Sequence, residues 1–152
     1  MVLLYPGKRK LISLKNNNKV VFFQIRAIKE KLIKLIQTAI YHFEKKENLL
    51  IYVQDDAALK FVDELLWKTP KEGFLPHIIA DENTSDFIVI TKSKNNLNKA
   101  KYLFNLSLDL VDFDPSYKVI YDFDDYTTEI KQQKSKKRFE IYRNAGFKIE
   151  SY

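Results

Sequence analysis

At 152 residues, 45% hydrophobic and 30% charged, the chain has the length and composition of one globular domain with an ordinary core, not of a disordered segment. It has no cysteine, which excludes disulfides and thiolate-bound zinc and suits a reducing cytoplasm. The formal charge is +6, and no stretch approaches the roughly 18 apolar residues of a membrane-spanning helix, so a soluble, cytoplasmic protein with no membrane partner is expected.

The apolar start Val2, Leu3, Leu4 and Tyr5 is too short for a signal peptide and is cut by Pro6-Gly7 and the basic run Lys8, Arg9 and Lys10. Asn16, Asn17 and Asn18 separate it from the first firm strand, so residues 1–18 are expected to be an N-terminal extension and 19–152 the domain. Residues 19–25 (KVVFFQI) have strand chemistry. Over 27–43, Ile28, Leu32, Leu35, Ile36, Ala39, Ile40 and Phe43 follow the helical period. Residues 48–53 (NLLIYV) predict a second, buried strand. Asp55 and Asp56 open a helix with Leu59, Val62, Leu65 and Leu66 on its apolar face, and Pro70 stops it. Residues 86–91 (DFIVIT) predict a third strand and 101–108 a fourth, while 119–123 fits either a strand or a loop. The last helix is expected over 126–145. Alternation of strands and helices predicts an α/β domain with at least one parallel pair.

The end of the last helix is well specified. Gly146 stands where a left-handed residue is wanted just past the helix, Arg143 suits the negative end of the dipole, and Tyr142 and Phe147 are spaced for the contact of a Schellman ending. The same helix concentrates the charge: residues 131–143 hold six basic residues and one acid, a net +5 of the chain's +6. Just upstream, residues 109–129 carry seven acids against Lys118. A focused basic patch beside an acidic one predicts a docking site for an acidic partner. Gln132, Lys136, Phe139 and Arg143 share one face by their spacing, with Ile130, Ile141 and Ala145 on another, expected to face the core. Cation, aromatic ring and cation suit a peptide carboxylate flanked by an apolar side chain; the plainer alternative is a solvated face with Phe139 turned inward.

Other motifs are weaker. Asp112 and Asp114, or Asp122 and Asp124, have a spacing that in a strand puts both carboxylates on one face, as a Mg²⁺-dependent nuclease would need. Phe139 and Tyr142 beside lysines also allow direct stacking of single-stranded bases. His42 and His77 are the only histidines and lack metal-ligand spacing, and Gly7, Gly73 and Gly146 form no phosphate-binding loop. No metal, cofactor or catalytic residue is expected.

Two local patterns point to a family. Residues 63–77 (DELLWKTPKEGFLPH) place Trp67, Pro70, Glu72, Phe74, Pro76 and His77 in the order W-x-x-P-x-E-x-F-x-P-H, and residues 138–147 (RFEIYRNAGF) match R-[YF]-x-x-Y-R-x-A-G-F. Both resemble the chi-subunit family of DNA polymerase III, from about residue 19 to the C-terminus. The resemblance implies a single three-layer, Rossmann-like α/β domain with a mixed sheet flanked by helices. It also implies a non-catalytic accessory subunit that links the clamp loader, through a psi-like subunit, to the acidic C-terminal tail of single-stranded-DNA-binding protein, touching DNA only indirectly. Carried over by residue, the tail site would use Lys131, Gln132, Lys136, Phe139 and Arg143, and the clamp-loader partner would meet Trp67, Phe74, Pro76 and His77. Lys136 replaces an arginine of the family and Phe139 a tyrosine. Glu140 stands where a basic residue contacts the tail in one member of the family, and Asp124 falls near an apolar one; both disfavour an acidic ligand, leaving Lys131, Lys137 or Arg143 to compensate.

Overall fold

The structure, a computed structural model, describes residues 2–4 and 11–13 as backbone and residues 18–68, 75–110, 112 and 114–152 in full. The first two segments, β1 (Val2–Leu4) and β2 (Leu11–Ser13), pair antiparallel as a sheet of their own. Next in the chain come β3 (Lys19–Ile25) and α1 (Ile28–Glu44), then β4 (Leu49–Tyr52) and α2 (Asp56–Lys68). There follow β5 (Ile78–Ile79), β6 (Ile88–Thr91), β7 (Tyr102–Asn105), β8 (Val119–Asp125), α3 (Glu129–Asn144) and β9 (Lys148–Ser151).

The seven strands β3–β9 form one sheet in the order β5-β6-β4-β7-β8-β3-β9, parallel in every pairing where a mixed sheet was expected. Parallel strands need crossovers that cover both faces, and the burial follows from that. Every residue of β4 and β6 is buried. On one face Leu35, Ile36 and Ala39 of α1 and Val62 and Leu66 of α2 pack against Ile25, Leu49, Ile51, Ile88, Ile90, Phe104 and Phe123. On the other, Val20, Phe22, Leu50, Leu103 and Ile120 meet Tyr142 of α3 and the 106–118 loop at Tyr117. The domain therefore has three layers, with two helices on one side of the sheet and one on the other.

Local signals set the helix ends. Asp55 caps α2 by accepting the Ala58 N–H at 2.8 Å, and Thr128 caps α3 by accepting that of Lys131 at 3.1 Å. α3 ends as its sequence predicts: Gly146 has φ 92°, its N–H reaches the Arg143 carbonyl, and the Phe147 N–H reaches that of Tyr142 at 3.2 Å. The Tyr142 and Phe147 rings lie 5.9 Å apart, completing the Schellman contact. Residues 119–123 belong to a full strand, β8, at the heart of the sheet. Pro70, read as the stop of α2, lies outside the described residues. Among those residues no helix is long and apolar enough to cross a membrane.

The face of α3 that meets the sheet differs from the expected one. Ile130 and Ile141, assigned to the core by their apolarity, are 60% and 43% exposed, and Ala145 is half-buried. Ser135, Arg138 and Tyr142 take the buried positions instead. The sheet opposite them carries Asp122 rather than an apolar side chain, so a cation and a phenol fit where isoleucine would strand a carboxylate.

Candidate functional site

α3 is anchored at the carboxyl ends of β7 and β8 by a buried polar cluster. The Ser135 hydroxyl accepts the Asp125 N–H at 2.9 Å. The Arg138 guanidinium donates through Nε to both Asp122 oxygens, at 3.1 and 3.3 Å, and through its terminal nitrogens to the carbonyls of Leu108 and Phe123. The Tyr142 hydroxyl and the Asn105 amide donate to Asp122 Oδ2 at 2.8 and 3.2 Å. Burial pushes the Asp122 carboxyl upward, against the pull of Arg138 and these hydrogen bonds, and it lifts the Tyr142 phenol well above its ordinary range. Every donor has an acceptor here, so the cluster holds the helix in one position.

With α3 so fixed, two sides of the helix differ. Toward β3, the Phe139 ring lies 5.7 Å from that of Phe22 and the Arg143 guanidinium sits 5.9 Å over it. A groove of about 170 Å³ opens beside them, lined by Phe22, Asp124, Tyr126, Lys136, Phe139 and Glu140. Its floor is aromatic; its rim holds one ammonium and two carboxylates. The Tyr126 phenol is raised by the neighbouring Asp124 carboxylate, and the Arg26 guanidinium stacks over the Tyr126 ring at 4.5 Å. Of the residues singled out on α3, Lys136 and Phe139 line this groove and Arg143 covers Phe139. Gln132 lies on the same helix face without lining it. Lys131 is separated from them: it lines a different crevice, on the far side of Ser135 and Arg138. Phe22 of β3 and Arg26 just after it escaped the sequence reading because they are far away in the chain, and Tyr126 did because it was read as the start of the helix, whereas it follows β8 three residues before α3 begins.

The other predicted surface is only partly described. Trp67 is 47% exposed and its ring lies 4.6 Å from that of His77. The His77 nitrogens sit 2.6 Å from the Leu75 carbonyl oxygen and 2.8 Å from the Asp63 carboxylate, so this side chain braces the segment instead of facing outward. Pro76 is exposed; Phe74 lies outside the described residues.

Some of the residues read for the competing chemistries are engaged within the fold. Tyr142 is buried and bonded to Asp122, so it offers no face for base stacking. Asp122 is committed to Arg138, and Asp114 accepts the Ser116 N–H at 2.9 Å. Among the described residues no three His, Cys, Asp or Glu side chains converge as a metal site would require.

Comparison with known proteins agrees with the two motifs. The chain is 28% identical over 108 residues to the DNA polymerase III subunit chi of Escherichia coli K12, covering 69% of this chain and 73% of that protein. It is 29% identical over 108 residues to the Haemophilus influenzae subunit, covering 69% and 74%, and 23% identical over 109 residues to that of Pseudomonas aeruginosa, covering 70% and 76%. The sequence model of the DNA polymerase III chi subunit (HolC) family matches residues 18–150, from the residue before β3 into β9, and with the parallel sheet and the α3 ending this makes the chain a member of that family.

Proposed function

We propose that the chain acts as a non-catalytic accessory subunit of a replicative DNA polymerase, docking the acidic, Phe-ending C-terminal tail of single-stranded-DNA-binding protein in the groove beside α3. The observation that carries this reading is the groove itself: an aromatic floor of Phe22 and Phe139 with Lys136 at the rim. A terminal phenylalanine would seat its ring on the floor while its carboxylate, and those of the preceding acids, meet Lys136 and Arg143. Glu140 and Asp124 oppose that carboxylate and set the affinity lower than an all-basic rim would give.

The test is fluorescence anisotropy with a labelled acidic peptide ending in phenylalanine. Charge-assisted contacts contribute about 1.5–3 kcal/mol each, so Lys136→Ala is expected to weaken binding by roughly ten- to a hundredfold. Phe139→Ala should do the same by removing the floor. Glu140→Lys should tighten binding, most strongly at low salt, because the added attraction is partly exposed and screened. Unchanged affinity in both alanine variants would put the tail on another surface.

We further propose that the surface formed by α2 and β5 receives the clamp-loader partner. Phe61, Trp67, Ile78 and Ile79 are all large, apolar and exposed there, and a solvent-facing group of this kind suits a protein interface.

A further inference from the structure

The crevice on the far side of α3 has no role in the tail-binding reading. It has a volume of about 210 Å³ and lies at the carboxyl edge of the parallel sheet. Gln54 follows β4, Asn105, Leu106, Ser107 and Leu108 end β7 and lead out of it, and Asp122 and Asp125 belong to β8. Lys31 reaches in from α1 and Lys131 and Arg138 from α3. The chain leaves β4 for α2 on one face of the sheet, and leaves β7 for the 106–118 loop on the other. Neighbouring strands whose connections diverge in this way open a cleft between them, which is where open α/β sheets take up ligands.

The charges of the crevice define what it would take. Arg138 is neutralised by Asp122 at 3.1 Å, and Lys31 by Asp125 at 2.7 Å. The Lys131 ammonium has no ion pair or hydrogen bond among the described residues and leaves the crevice with one positive charge in excess. The Gln54 amide oxygen already accepts the Leu108 N–H at 2.8 Å, which leaves its NH₂ group to donate. Most acceptors on the walls are occupied: Asp125 by Lys31 and Thr127, Asp122 by Arg138, Tyr142 and Asn105, and Asn105 Oδ1 by Ser107. Donors on several walls with acceptors taken suit a ligand that accepts from several directions.

We infer that this crevice binds a small tetrahedral oxyanion, a phosphate group, held between the Lys131 and Lys31 ammonium groups and the Gln54 amide. The volume suits inorganic phosphate or a small phosphate ester and is too small for a nucleotide, whose pockets run from about 300 Å³ upward. A phosphate would neutralise the excess charge and join α1, α3 and the β4 loop, raising the thermal midpoint of the domain.

The midpoint of the whole chain is measured against inorganic phosphate at constant ionic strength, with acetate as the planar monoanion control. Phosphate is expected to give a saturable rise and acetate none. Lys131→Ala removes no contact seen in the structure, so it should keep the basal midpoint while weakening phosphate at least tenfold. Lys136→Ala, in the tail groove, should leave the response intact. Backbone amide shifts in the unaltered protein provide a readout independent of the variants and should cluster at Gln54, Ser107 and Lys131. Absence of saturation, an equal response in Lys131→Ala, loss of the response in Lys136→Ala, or shifts clustered at Phe22 and Phe139 would each overturn the assignment.

Discussion

Arg138 shows how much of α3 rests on single side chains. In the sequence it is one of six basic residues in a run and resembles the others; in the fold it is 5% exposed and chelates the buried Asp122. Removing one partner of such a pair leaves the other charge buried and alone, at a cost of about 3–5 kcal/mol. Urea unfolding of Arg138→Ala should show a loss of that size, whereas Lys137→Ala, on the exposed side of the same run, should stay within about 0.5 kcal/mol of the unaltered protein. His42 is a second residue whose role the sequence conceals. Its ring is fully buried, 2.8 Å from the Tyr121 hydroxyl and 3.2 Å from Glu47, with Tyr41 and Tyr102 packed against it. Burial lowers its pKa from 6.5, and Glu47 only partly opposes that. The folded state therefore binds less proton than the unfolded one, so the stabilisation is present above the ordinary value and lost as pH falls through the folded value. Between pH 7.5 and 5 the thermal midpoint should fall more steeply for the unaltered protein than for His42→Gln; parallel profiles would remove His42 as the titrating group.

The helix ends, at the scale of elements, obey local rules and can be tested as pairs. α1 and α3 finish in the same geometry, but α1 places Lys46 at φ 56° where α3 places Gly146 at φ 92°. A side chain in the left-handed region costs roughly 1–2 kcal/mol that glycine avoids. Lys46→Gly should therefore raise stability by about 1 kcal/mol and Gly146→Ala should lower it by about the same amount, as read from denaturant midpoints at unchanged slope. The α3 ending was legible because a cap depends on the few residues around it, whereas nothing in the type of Lys46 marks it for the same position. The buried face of α3 was not, since Ile130 and Ile141 satisfy any apolarity criterion, and only the carboxylate on β8 makes Arg138 and Tyr142 the better inward residues. The edge strands β5 and β9 were missed for a related reason. One is two residues long and the other alternates Lys148 and Glu150 with small or apolar neighbours, the short and charged character by which sheet edges avoid pairing with other chains.

Across the whole molecule, the two proposed protein interfaces lie on different layers. The groove beside α3 belongs to one face of the sheet, and α2 with β5 to the other face and its far edge. An adaptor built this way can hold both partners at once. Trp67→Ala should release the clamp-loader partner in a pull-down while leaving the affinity for the tail peptide unchanged, and Lys136→Ala should do the reverse. Loss of both in either variant would mean that the surfaces are not separable.

Residue order alone determined the α/β alternation, the start of α2 and the C-terminal end of α3, the concentration of charge in one helix and the two motifs that carry the family. Each depends on periodicity, capping or spacing within a few turns of chain. Tertiary structure decided how that charge is divided. Arg138 goes into the core, Lys134 pairs with Asp109 at 2.7 Å, Lys136 and Arg143 turn toward an aromatic groove, and Lys131 turns toward a crevice. The division is made by Asp122, Phe22 and Asp109, which reach α3 from other strands and loops. A helix repeats every 3.6 residues, so neighbouring cations in sequence point in different directions, and what each one meets is set by the sheet beneath it.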